Sequence, residues 1–355
     1  MGRPLVLEPR EKITSLRLTG YERNEMETRS EALGFKSLSD YLRHLHKAAA
    51  DAEKSKVAKI DVTKYGDLIE SHATDLGTIY QGNSLAYMHS HAEPNSVNLI
   101  LTSPPFGLVR KKSYGNEDAD AYCDWFRPFA EGFKRVLADD GSLVIDVGGA
   151  WKSGTPTRSL YHFKLLVMLC EEYGFHLAQE HYWWNPSKLP SPAEWVNVRR
   201  IRVKDAINCV WWLSKTPFPK ANNKRILAPY SDSMRVLLKN GYKAKLRPSG
   251  HDISSKFSVD NGGSVPPNLL AIANTESNGA YQDHCRDNDI EIHPARFPAL
   301  LPEYFIRFLT DPGDMVLDPF GGSCITGMVA EALQRQWTCV ELSSEYIRGG
   351  IGRFQ

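Results

Sequence analysis

The chain has 355 residues, 42% of them apolar, with 43 basic against 42 acidic side chains and a net charge of +1. That length allows one large domain with an appendage. There is no run of about 18 apolar residues to span a membrane, and the opening Met1-Gly2-Arg3-Pro4 lacks the apolar core of a signal peptide. The six cysteines are scattered with no C-x-x-C pair, which argues for reduced thiols in a cytoplasmic protein and against a zinc site or disulfide framework.

Residues 1–60 read as a separate unit. Ser15-Leu16-Arg17-Leu18 alternates as a short strand. Tyr21 to Leu33 is a predicted helix with Met26 and Leu33 on one face, broken at Gly34-Phe35. Ser37 or Ser39 caps a second helix with Leu38, Tyr41, Leu42 and Leu45 inward. Strand, helix, turn, helix resembles the ribbon-helix-helix family, in which Ser15 and Arg17 would face DNA. Residues 61–77 read as a linker.

Strand and helix patterns alternate from Leu76 onward, the mark of a parallel sheet. Strands are expected at Gly77–Tyr80, Val97–Leu101, Gly141–Ile145, Phe175–Trp184, Ile207–Leu213, Met315–Leu317 and Trp337–Val340. Helices are expected at Asp120–Leu137, Phe163–Tyr173, Leu300–Phe308 and Ile325–Leu333. Residues 214–285 lose the periodicity and read as a functional loop region. Between Lys188 and Arg247 stand 14 Lys or Arg against three acids, a local charge of +11 in a nearly neutral chain. A basic segment on an acidic body suits a polyanion.

Two strand ends carry chemistry. After Val97–Leu101 comes Thr102-Ser103-Pro104-Pro105-Phe106, a small hydroxyl, a stiffened backbone and an aromatic at the carboxyl end of a strand, where ligands bind in open α/β sheets. The set suits an exocyclic amine on a planar base. Ser103 and the Pro104 carbonyl accept its hydrogens, and Phe106 stacks on the ring. The second centre is Asp318-Pro319-Phe320-Gly321-Gly322-Ser323, whose glycines allow close approach of a ligand. Glu341 ends the next strand and suits ribose hydroxyls. Asp318 would repel a pyrophosphate and tolerate an ammonium, so S-adenosyl-L-methionine is expected rather than NAD.

With both centres in place, the chain resembles the amino-methylating DNA methyltransferases. Ser103–Phe106 matches their S-P-P-[FY] catalytic motif, and Phe320-Gly321-Gly322 their cofactor loop. The catalytic motif comes first, the circularly permuted order of the β group, with family strands appearing as 3, 4, 5, 6, 7, 1, 2. The resemblance covers roughly residues 78–354 and runs closest to the cytosine-N4 members. It includes Asn185–Trp195, Arg247–His251, Asn261–Asn268 and His293–Pro298, and leaves residues 1 to about 70 without a counterpart.

The resemblance implies an α/β fold, a circularly permuted Rossmann-like class I methyltransferase with a mixed seven-stranded sheet. Its catalytic half would span 78–213, target recognition 214–285 and the cofactor half 286–355. It implies that Ser103, Pro104, Pro105 and Phe106 hold a flipped cytosine, with Asp146 beside Ser103. Asn83, where relatives carry Asp, would meet the cofactor adenine. Asp318, Phe320, Gly321, Gly322, Ser323 and Glu341 would line the cofactor, and Phe297 and Pro298 its methionine end. Arg110, Lys111, Lys112, Lys188, Arg199, Arg200, Arg202, Arg247 and His251 are the candidate contacts to double-stranded DNA.

No metal is expected. Carbon-5 methylation needs a Pro-Cys nucleophile, and no cysteine here follows a proline. Adenine-N6 enzymes usually carry Asp or Asn at the Ser103 position, so cytosine-N4 is the first expectation and adenine-N6 the alternative. A DNA-binding regulator acting through the N-terminal unit, and an RNA or protein amine methyltransferase, are rivals of other classes. The resemblance also implies a cognate restriction endonuclease as partner, and the N-terminal unit suggests a homodimer.

Overall fold

The computed structural model describes residues 19–45, 62–107, 118–241, 259–274 and 279–355. The chain divides into two compact units, Met1–Asp61 and Val62–Gln355. In the first, helix α1 (Gly20–Ala32) begins with a capping box. Thr19 Oγ1 accepts the Glu22 N–H at 3.3 Å, and Glu22 Oε2 accepts the Thr19 N–H at 2.8 Å, which satisfies two otherwise orphaned donors. Gly34, at φ +76°, makes the expected break. Helix α2 (residues 38–45) is capped by Ser37, whose Oγ accepts the Asp40 N–H at 3.1 Å. Ser30 and Tyr41 are buried, whereas Leu33 and Leu45, expected inward, are exposed. The strand expected at 15–18 lies outside the described residues.

Among the described residues, the second unit is built on one nine-stranded sheet. Its strands are β1 (Ile69–Ala73), β2 (Gly77–Gln81), β3 (Val97–Thr102), β4 (Leu137–Val147), β5 (His176–Trp184), β6 (Ile207–Ser214), β7 (Leu269–Ala271), β8 (Met315–Asp318) and β9 (Gln336–Glu341). The order across the sheet is β1-β2-β9-β8-β3-β4-β6-β5-β7. The pairs β1–β2, β4–β6 and β5–β6 are antiparallel and the rest parallel. The last two strands of the chain thus sit between the second and third, as a permuted order requires.

Central strands read as continuous apolar runs because both faces are covered. Ile100, Leu143 and Ile145 face one core with Tyr122, Phe126 and Phe133 of α4 (Tyr122–Val136) and Leu165 of α5 (Tyr161–Glu171). Leu99, Leu101 and Val144 face the other, with Phe305 and Leu309 of α8 (Leu300–Leu309) and Val329 of α9 (Ile325–Ala332). Gly174, at φ +65°, follows α5 as its terminator.

Three expectations need correction. Among the described residues the sheet has nine strands, not seven, because short edges extend it at both sides. Residues 61–77 hold the edge strand β1, whose Ile-Glu-Ser-His-Ala lacks an apolar alternation because little of it is buried. Residues 214–285 are not all loop: they carry α6 (Asp232–Asn240), β7 and α7 (Ala280–Asp287). β7 is too short for periodicity to reveal.

Trp337 on β9 shows how tightly one face is filled. It is 1% exposed and stacks on Phe354 with centroids 4.8 Å apart. Against it lie Gly77 and Gly327, where an added Cβ would come within 2.3 and 2.7 Å of its ring. Trp337→Ala should cost about 3–5 kcal/mol, the usual range for emptying such a site. A urea titration followed by circular dichroism measures it as a lowered midpoint.

Candidate active site

The parallel ladder sets the site. β2, β9, β8, β3 and β4 run in the same direction, so their carboxyl ends share one edge of the sheet. There a cavity of about 590 Å³ opens, lined by residues from both sequence centres, among them Ser103–Phe106, Asp146, Phe320–Ser323 and Glu341.

At the end of β3, Ser103 Oγ donates to Asp146 Oδ2 at 3.1 Å. Asn208 of β6 donates to the same carboxylate, 3.1 Å to Oδ1 and 3.4 Å to Oδ2. Asp146 is only 3% exposed. Burial raises its pKa to about 6, opposed by the Asn208 and Ser103 hydrogen bonds and by the Lys188 charge. The Phe106 ring lies over Gly148, where an added Cβ would come within 2.5 Å of it. Phe106 therefore needs a glycine beneath it, and it presents a half-buried face to the cavity.

At the end of β8, Asp318 is 2% exposed. Its Oδ1 accepts from Thr102 Oγ1 at 2.7 Å and the Phe320 N–H at 3.2 Å, and its Oδ2 from Thr326 Oγ1 at 2.7 Å. Burial raises this pKa, too, to about 6. Asp318 thus ties the loop down, engaged at both oxygens by its own chain, and it also lines the cavity.

The glycine loop is pressed onto β9. Gly321 N–H donates to Val340 O at 2.9 Å, and an added Cβ would lie 3.1 Å from Cys339 Cβ. Gly322 is left-handed at φ +51°. Glu341 Oε2 accepts the Gly322 N–H at 2.8 Å and Oε1 the Ser343 N–H at 2.9 Å. Each carboxylate oxygen keeps a second lone pair for a hydroxyl. Phe320 packs on Phe129 with centroids 4.9 Å apart, and Arg353 holds Ser323 through its carbonyl at 2.7 Å. A glycine cradle, an acidic strand end and an aromatic wall fit a nucleoside.

Other expected residues scatter. Asn83 lines the cavity, but its Oδ1 caps the short helix α3 (Ser84–Ala86) by accepting the Leu85 N–H at 2.9 Å. Phe297 lines the cavity; Pro298 is buried and is not among the lining residues. Lys188 lies on the cavity wall. Arg199 is exposed, paired with Glu194 at 2.8 Å and set over the Trp195 ring. Arg200 is exposed. Arg202 is fastened instead, donating to Pro156 O and lying 4.4 Å from the Trp151 centroid. Arg110, Lys111, Lys112, Arg247 and His251 lie outside the described residues. Asn208, Asn185, Trp183 and His293 are wall residues that sequence reasoning did not assign. The only signal for Asn208 was one amide inside an apolar strand.

A raised carboxyl pKa means the folded state holds a proton more tightly than the unfolded one. The resulting stability is complete below the ordinary Asp value near 4 and is lost as pH rises through about 6. Asp146→Asn cannot titrate. Its urea midpoint should therefore fall less between pH 4 and pH 7 than that of the wild type.

The profile of the N6/N4 DNA methylase family matches residues 97–351. The type II methyltransferase M.PvuII of Proteus hauseri is 53% identical over 287 residues, 80% of this chain and 85% of that protein. The solved structure of the PvuII DNA methyltransferase (cytosine-N4-specific) superposes with a TM-score of 0.67 at 45% identity, covering 82% of this chain and 90% of that one. More distantly, the DNA adenine methyltransferase YhdJ of Escherichia coli K12 is 27% identical over 78% of this chain and 82% of its own. Shared fold, shared motifs and identity of this extent place the chain in one group: it belongs to the N6/N4 DNA methylase family.

Proposed function

We propose that this protein is a site-specific DNA methyltransferase that uses S-adenosyl-L-methionine to methylate the exocyclic N4 amine of cytosine. It works in the cytoplasm as the modification partner of a restriction endonuclease that cuts the same sequence. The observation that carries the reading is the Ser103–Asp146 contact, opening on the same cavity as the glycine loop. The 53% identity to M.PvuII, the likeness to the cytosine-N4-specific PvuII DNA methyltransferase and the serine at position 103 favour cytosine over adenine.

The target amine is paired inside a duplex, so the base is flipped into the cavity at a cost of a few kcal/mol. Arg199 and Arg200 suit the phosphate backbone, which positions without reading sequence. Phe106 stacks on the base. Ser103 directs its own proton to Asp146, which leaves its lone pairs for one amine hydrogen; the Pro104 carbonyl takes the other. Held this way, the nitrogen moves toward tetrahedral geometry and its lone pair is released from the ring. Glu341 would hold the cofactor ribose, the Gly321-Gly322 backbone would let it approach, and Phe320 and Phe297 would offer it aromatic walls. S-adenosyl-L-methionine supplies an electrophilic methyl group on a sulfonium. As the amine loses a proton, Ser103 relays it to Asp146. A buried carboxyl with a pKa of about 6 is ionised near neutrality and is a better base than an exposed Asp.

Ser103→Ala should reduce methyl transfer to plasmid DNA by at least about 100-fold, the usual scale of a lost proton-transfer group. Calorimetry should find its affinity for S-adenosyl-L-methionine within about twofold of wild type. The wild-type rate should rise with pH through about 6 as Asp146 ionises. Undiminished turnover in Ser103→Ala would refute the assigned role.

A further inference from the structure

The cavity carries two donors with no hydrogen-bond acceptor among the described residues. Asn185 and Lys188 stand at the two ends of a turn closed by the Lys188 N–H on Asn185 O at 3.2 Å, and both line the cavity that Ser103 and Asp146 line. The Asn185 amide is oriented: its Oδ1 accepts the N–H groups of Ser187 at 3.1 Å and Asn274 at 3.3 Å. Two donors aimed at one atom settle which end is oxygen. The Nδ2 end, with two hydrogens, is left over and has no hydrogen bond among the described residues.

Lys188 is half-buried, and its Nζ likewise has no hydrogen-bond acceptor among the described residues. Burial lowers its pKa, while Asp205 and Asp146 support the charge and Arg158 opposes it. An ammonium partly withdrawn from water without an acceptor is costly. It suits a site whose acceptor arrives with the substrate.

We propose that Asn185 and Lys188 form the base-reading edge of the site, Asn185 Nδ2 donating to N3 and Lys188 Nζ to O2 of the flipped cytosine. The assignment rests on cytosine being the target. It completes the Watson–Crick edge: Ser103 and Pro104 take the N4 hydrogens, and these two donors take the remaining acceptors. Adenine offers a ring nitrogen beside its amine but a C–H where cytosine has O2. Lys188 would then face no acceptor, and a buried polar group left unpaired rejects the wrong substrate strongly. The rival role for Lys188 is a phosphate contact, which carries no base information and shows itself in the salt dependence of binding.

The test uses the full chain and a duplex whose methylated position has been located by sequencing plasmid DNA modified by the wild type. A second duplex carries 2-thiocytosine there, keeping the amine and weakening the acceptor at position 2. Wild type should lose about 10-fold or more in kcat/KM on the thio duplex. Lys188→Met should be down about 10- to 100-fold on cytosine yet lose no more than about twofold further on the thio duplex, since partners in one contact are not additive. Its slope of log affinity against log salt should match wild type. Asn185→Asp keeps the oxygen that Ser187 and Asn274 need and removes the donor; it should lose about 10-fold or more on both duplexes while binding cofactor normally. A full thio penalty persisting in Lys188→Met, or a salt slope reduced by about one charge, would overturn the assignment. A wild type that methylates no cytosine would instead overturn the proposed function.

Discussion

The site depends on one buried carboxylate. Asp318 closes β8, and its three hydrogen bonds reach Thr102 at the end of β3, Thr326 in α9 and the backbone of Phe320. A carboxylate withdrawn from water is tolerable only when its oxygens are occupied. The burial that lifts its pKa to about 6 therefore also fixes the groups around it. Through Asp318 the strand end that precedes Ser103 and the loop that holds Gly321 are locked together, although more than 200 residues separate them in the chain. Permutation has placed β8 and β3 far apart in sequence and side by side in the sheet; the Thr102–Asp318 bond joins them where it matters.

Asp146 stands one strand further along and differs in what its partners leave open. Asn208 holds it from β6, and Ser103 holds it from the cavity side. Both aspartates are desolvated to a similar degree and both line the cavity, but Asp318 accepts three bonds from the strand end, loop and helix around it, whereas Asp146 is held by Asn208 and by Ser103, whose hydroxyl also lines the cavity. The same economy runs through the nucleoside end. Glu341 braces Gly322 and Ser343, and Asn83 caps α3, so these groups are oriented before any ligand arrives. Fixed dipoles need little reorganisation when charge moves, which is how such sites lower barriers.

What the sequence disclosed follows from burial. β3, β4, β8 and β9 are covered on both faces, so their apolar runs were readable, and both chemical centres follow directly from them. β1 and β7 are a half-covered edge and a three-residue pairing; neither has a pattern to read. Side-chain roles were harder than positions. The basic stretch from Lys188 to Arg247 looked uniform as a count of charge, but the fold puts Lys188 in the cavity wall, Arg199 and Arg200 in solvent, and Arg202 against Trp151. Asn208 and Asn185 reach the cavity from strand ends brought together only by tertiary pairing, which no local spacing encodes. Asp318 was legible as an acidic strand end, but its partners Thr102 and Thr326 were not.

The central claim is that this constellation methylates cytosine at N4. Nucleoside mass spectrometry of DNA incubated with the purified protein and S-adenosyl-L-methionine tests it most directly. N4-methylcytosine that appears with the wild type and is lost in Ser103→Ala is the predicted result. N6-methyladenine in its place, or N4-methylcytosine that persists in the variant, would contradict it.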